Sequence, residues 1–270
     1  MTLLSLKGYD MTVGEICRRC VDNCDGVKQL MNIEFQQIYT SYKTDKEVSD
    51  AMVQKCLGIV PEASDFFDSI RDRMTTYGKP FMILPAGING ACTLVEDDAL
   101  CIKFSYEVDS GKFPSYLVHE LGEADYLSKR FPKTLDEEER GFAPRIIECF
   151  SHPHCRRVAA AWGLSELEGE FRSEMEIEAR LKQDYMKDYT PEWKRIMDIV
   201  WTISTFPELY NRRNEMNGYV AYQESIEELL SIISVNTIEV TPQEVFTRMI
   251  LVVEKLEARG MPQIKVQYPF

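Results

Sequence analysis

Apolar residues recur every three or four positions from residue 13 to about residue 74, first as Ile16, Cys20, Val27, Leu30 and Ile33, then as Ala51, Val53, Leu57, Phe66, Phe67 and Ile70. That period is the mark of amphipathic helices, and the stretch has room for two or three of them. The texture then changes. Lys79-Pro80, Pro85, Gly87 and Gly90 interrupt helical order, and residues 91–95 and 100–106 read as two strands around the acidic turn Glu96-Asp97-Asp98. They predict a hairpin at the edge of a small sheet. Pro114-Ser115 opens a helix carrying Tyr116, Leu117, Val118, Leu121, Ala124, Tyr126 and Leu127.

A following helix is predicted to begin near Leu135, behind the acidic run 136–139, whose charge complements a helix N-terminus. It restarts at Pro144, runs through Ile146, Ile147 and Phe150, and stops before Pro153, whose ring disfavours helical geometry at His152. Beyond Val158 the pattern is mainly helical. Thr190-Pro191 and Thr241-Pro242-Gln243-Glu244 mark helix starts, each with a Thr cap, and Pro207 ends or kinks what precedes it. Six acidic residues between 166 and 178 predict a solvated face. Trp193, Trp201, Phe206, Tyr210, Tyr219 and Tyr222 are expected to pack a helical core. The fold class that follows is α+β and mainly helical, with an edge hairpin packed against the helix opened by Pro114. Its expected organisation is a helical region 1–80, a core 81–157 and a helical region 158–270.

Composition supports a real core: 44% of the 270 residues are hydrophobic and 28% charged. The net charge of −13, with basic residues clustered no further than the pairs Arg18-Arg19 and Arg156-Arg157, argues against nucleic-acid binding. Apolar runs such as 249–253 fall far short of the roughly 20 residues that span a bilayer. Residues 1–10 carry no secretion pattern, so a cytoplasmic location without membrane association is expected.

Eight cysteines in a reducing compartment are free thiols or metal ligands rather than a disulfide framework. Cys17, Cys20 and Cys24 fall on one helical face. They form either a small-residue stripe packed inward or three thiolates of an iron–sulfur or zinc site, with Cys56 a candidate fourth ligand.

The segment with catalytic grammar is Val118-His119-Glu120-Leu121-Gly122-Glu123. On a helix His119 and Glu123 lie one turn apart on one face, so an imidazole and a carboxylate can converge on one cation, and Glu120 flanks it as a base for water. Gly122 offers a place for close approach by another backbone or a substrate. Downstream, Glu148 and His152 repeat the pairing at i, i+4, with His154 and Cys155, just past Pro153, as reserve ligands or as groups that orient the ligands from behind. The plain alternative is that Glu120 and Glu123 are solvated helix residues, His119 a surface or capped histidine, and Glu148/His152 an intrahelical pair. A carboxylate-rich di-iron site is disfavoured because the chain lacks Glu-x-x-His pairs.

This segment resembles the signature of the zincin metallopeptidases, His-Glu-x-x-His on a helix. The stretch 117–122 behind a hairpin looks most like the small cytoplasmic zincins of the ImmA/IrrE type, over roughly residues 90–152. The resemblance implies His119 as first ligand, Glu120 as general base, a later-helix ligand such as Glu148, and an edge strand able to hold an extended peptide. It departs from the family where Glu123 stands in place of the second histidine. A carboxylate there can still ligate zinc, but it lowers Lewis acidity and weakens selection against manganese or iron. The expected function is a metal-dependent hydrolase acting on a peptide or protein, with His119, Glu123, Glu148 and His152 as ligands. The alternative is a zincin-like binding or sensing protein that has lost hydrolysis.

Overall fold

A computed structural model describes residues 33–106, 108–135, 143–187 and 190–270. Helices α1 (Ile33–Ser41) and α2 (Asp45–Ile59) open it. The start of α2 is fixed by a capping box, with Thr44 accepting from the Glu47 N–H and the Glu47 carboxylate returning to the Thr44 N–H. A 3₁₀ turn (Pro61–Ala63) leads into α3 (Ser64–Thr76). Cys17, Cys20 and Cys24 lie outside the described residues. Cys56 sits on α2 with no exposed surface, and burial pushes its thiol up to about 12, which suits packing rather than ligation.

Three strands follow: β1 (Phe81–Ala86), β2 (Ala91–Glu96) and β3 (Ala99–Ser105). β3 is central, parallel to β1 and antiparallel to β2. The expected hairpin is β2–β3. Glu96 pairs with Ala99 across a two-residue turn in which Asp97 and Asp98 have φ of 46° and 66°, the twist-matched geometry for so short a loop. β1 is an addition to the sequence reading. Pro85, which reads as a breaker, faces Phe104 near the end of an edge strand, where a missing N–H can be tolerated.

Helix α4 (Phe113–Ser128) has Pro114 in its first turn, as its sequence predicts. Thirteen of its sixteen residues are buried, so the histidine, glutamate and aspartate among them must find partners inside the protein. After it the expectation fails in two places. Leu135 belongs to a short strand β4 (Lys133–Leu135), paired antiparallel with a C-terminal strand β5 (Lys265–Gln267), a partner more than a hundred residues away that local pattern cannot show. The acidic run 136–139 lies outside the described residues; helix α5 (Ala143–Ala161) continues through Pro153. The proline removes one backbone bond, but Cys149, Phe150, Cys155, Val158 and Ala159 form a buried stripe on either side of it, and that packing keeps the helix intact.

The remaining helices are α6 (Ser165–Glu170), α7 (Glu174–Leu181), α8 (Glu192–Thr205), α9 (Gln223–Ile233) and α10 (Pro242–Glu257), with 3₁₀ turns at Pro207–Glu215 and Val220–Tyr222. Thr241 caps α10 by accepting from the Glu244 N–H, whereas Thr190 does not cap α8: the cap position is Pro191 and has no side-chain bond. The architecture is α+β and mainly helical. Its buried apolar side chains form one cluster running from Phe35 to Ile264 around α4. Trp193, Phe206 and Tyr219 join this core, while Tyr210 is exposed. No described helix is long and apolar enough to cross a membrane.

Candidate metal centre

α4 is clasped between the β2–β3 face and helix α5. The close approach of α5 depends on Gly122. A Cβ there would stand 2.7 Å from the Cβ of Cys155 and 2.8 Å from its Cα, distances that side-chain carbons do not tolerate. The neighbour that Gly122 admits is therefore the next helix, and its arrival brings His152 over Glu123.

His119, Glu123 and His152 each offer a ligand atom within 4.8 Å of the others, so a buried His/Glu/His group here can hold a metal ion. The two imidazoles are oriented from behind. Nδ1 of His119 lies 3.3 Å from both Glu168 oxygens; since a carboxylate only accepts, Nδ1 carries the proton and Nε2 is left for a metal. Nδ1 of His152 is 2.9 Å from Thr205 Oγ1 at the end of α8, and its Nε2 faces Glu123 Oε1 at 3.6 Å. Glu123 is steadied by Ser151, whose hydroxyl donates to Oε1 at 2.7 Å. Outer partners of this kind fix the tautomer and ring direction of metal-binding histidines. Phe171 completes the seat by stacking on the His119 ring at 3.8 Å and 5°.

The two imidazoles sit in opposite electrostatic environments. Burial, followed by the charges of His119, Arg156 and Arg172, holds the His152 pKa well below its ordinary value, keeping the ring neutral and its lone pair available. Burial would also lower His119, but the bond and charge of Glu168, reinforced by Glu120 and Glu123, raise it. Glu120 is buried and accepts a 2.7 Å hydrogen bond from Thr93 Oγ1 on β2. Burial and the Glu123 charge push its carboxyl up to about 7. A carboxylate at that value exchanges a proton readily near neutral pH.

All of these groups open on a cavity of about 740 Å³, walled by residues 91–95 of β2, by α4 and α5, and by Trp201 of α8. Glu148 lines the cavity but stands outside the three-residue group. Its carboxylate takes the Trp201 Nε1–H at 2.5 Å, and burial and Glu123 raise its pKa. His154 is not a reserve ligand: it has no exposed surface and is bonded to Asp125 at 2.7 Å and Thr237 at 2.6 Å. Cys155 is buried beneath Gly122. The solvated reading of His119 and Glu120 is overturned as well, since they are 4% and 6% exposed.

Sequence reasoning missed Glu168, Thr93, Thr205 and Phe171. Glu168 lies inside the run read as a solvated acidic face, yet it is 2% exposed. A signal was present: Leu164, Leu167, Glu168 and Phe171 share one helical stripe, and a carboxylate on an apolar stripe calls for a buried partner. Comparison of the chain with protein-family models, with curated proteins and with solved structures found no match in any of the three.

Proposed function

We propose that the protein is a metal-dependent hydrolase, a zincin-like peptidase in which His119, Glu123 and His152 hold a divalent ion and Glu120 is the general base. The observation that carries this reading is the paired orientation of two imidazoles. Each has its Nδ1 anchored by a group behind it, and each keeps its Nε2 for the space beside Glu123. Two imidazole nitrogens and one carboxylate form a donor set suited to zinc, with manganese or iron as weaker alternatives, and three protein ligands leave a position open. A bound ion of this class would act as a Lewis acid toward a carbonyl and acidify water.

The chain's own groups supply the rest. Glu120, held by Thr93, can accept a proton from the attacking water and pass it to the leaving amine. β2 is an edge strand, and its residues 91–95 border the cavity, so an extended peptide can add to its free side by backbone hydrogen bonds. Trp201 and Phe206 give the cavity an apolar wall. Glu123 in place of histidine favours a second reading, a binding or sensing protein without hydrolysis, because an anionic ligand weakens the Lewis acid. Glu120→Gln separates the two: with peptide substrates, a hydrolase loses activity while retaining its metal. A wild-type protein that binds metal and peptide but cleaves nothing overturns the hydrolytic reading.

A further inference from the structure

The same cavity is lined by cations that take no part in holding the proposed ion. Arg172, just past the end of α6, keeps 8% of its side chain exposed, and its buried Nε has no hydrogen-bond partner. Its Nη1 reaches Glu168 at 3.3 Å, so that carboxylate is shared with His119. The half-exposed Glu208 stands 3.7 Å from Nε, beyond hydrogen-bond reach. Arg180 on α7 lies over Trp201 at 5.0 Å and over Phe206 at 5.8 Å, and its contacts to Glu176 and Gln183 are both long, at 3.4 Å. Both arginines therefore face the cavity with donors incompletely used.

A guanidinium presents a planar fork that a carboxylate matches with two parallel hydrogen bonds, and burying such a group with an unmet donor is costly. The cavity lining holds the cations Lys133, Arg172 and Arg180 and four glutamates, Glu120, Glu123, Glu148 and Glu176. A divalent ion would add two positive charges to that balance, so the loaded cavity attracts an anion more strongly than the empty one. We infer that Arg172 and Arg180 form a carboxylate-reading subsite beside the metal centre. The substrate is then a peptide that presents a carboxylate, from an acidic side chain or a free C-terminus, close to the bond that Glu120 serves. This rests on the hydrolytic reading for its substrate, but its arginines can be tested by binding alone.

The experiment uses zinc-loaded full-length protein and one fluorescent peptide in three forms: neutral and amidated, with a glutamate replacing a glutamine, and with a free C-terminus. Affinities are measured for the wild type, Arg172→Gln and Arg180→Gln, with zinc content determined on each sample. Arg180→Gln touches neither Glu168 nor His119, so it reports even if Arg172→Gln disturbs the fold. The expected result is about tenfold tighter binding of at least one carboxylated form, reduced to under about threefold in the arginine variants at unchanged zinc content. The form that shows the preference identifies the source of the carboxylate. Equal binding of all three forms, no binding of any, or a preference indifferent to both arginines overturns the subsite. An arginine-dependent preference in a protein that takes up no zinc keeps the subsite and overturns the hydrolytic reading instead.

Discussion

Nδ1 of His119 on α4 lies 3.3 Å from both carboxylate oxygens of Glu168, 49 positions further along the chain on α6. The contact converts a histidine that helical spacing alone would leave free to rotate into one with a fixed tautomer and a fixed direction. It also gives the buried Glu168 two partners, since His119 and Arg172 share it.

Removing that contact should weaken the metal centre without removing any of its ligands. Glu168→Gln is expected to lower metal affinity roughly 10–100-fold, the usual cost of losing an outer partner of a metal-binding histidine. Competition against a chromophoric chelator measures it. An unchanged affinity would show that Glu168 serves the fold alone.

Thr93→Val keeps the shape of β2 and deletes the hydroxyl that holds Glu120. Loss of one such hydrogen bond, about 0.5–1.5 kcal/mol, corresponds to roughly a 2- to 12-fold fall in kcat. Metal content and KM should be unaffected. Steady-state peptide hydrolysis beside elemental analysis checks this, and a rise in KM with kcat preserved would place Thr93 in substrate binding instead.

Asp125 is expected to contribute to the acid dependence of stability. Its carboxylate is 2.7 Å from His154 Nε2, 2.7 Å from Lys129 and 2.9 Å from Arg73. Burial alone would raise its pKa, but the His154 bond and the charges of His154, Lys129 and Arg73 hold it well below the usual carboxylate range. A depressed carboxyl stabilises the fold above the unfolded value near 3.9, and that contribution is lost as pH falls through the folded value. His154 acts in the same sense from higher pH. Burial keeps its pKa below about 6.5 despite Asp125, so protonation opposes the fold as pH falls. Asp125→Asn should therefore destabilise the protein at pH 7 by less than the roughly 3–5 kcal/mol of a fully buried pair, because Arg73 and Lys129 remain partly in water. It should also flatten the dependence below about pH 4. Urea unfolding of both proteins at pH 7, 5 and 3 gives the comparison; parallel curves would contradict it.

Features set by neighbours in sequence were legible in it. The β2–β3 hairpin, the start of α4 at Pro114, the cap of α10 at Thr241 and the convergence of His119 with Glu123 all follow from local spacing. Gly122 was also readable as a point of close approach, although nothing nearby says that Cys155 would be the group arriving. What was not legible depends on partners far along the chain. β4 exists because of β5, and α5 passes Pro153 because both sides of its inner stripe are packed. Glu148 turned to Trp201 and His152 to Thr205 because α8 lies across α5, and His152 met Glu123 because α4 packs on its other side. The intrahelical spacing that linked Glu148 to His152 was real, but tertiary contacts gave each a different task.

The proposed chemistry depends on His119, Glu123 and His152 holding one divalent ion. The most direct measurement is elemental analysis of protein purified without a histidine tag, alongside Glu123→Ala and His152→Ala, with thermal unfolding before and after exhaustive chelation. About one divalent ion per wild-type chain is expected, with loss of it in both variants and a lower Tm for the chelated wild type. A metal-free wild type whose Tm ignores both chelator and added zinc would contradict it.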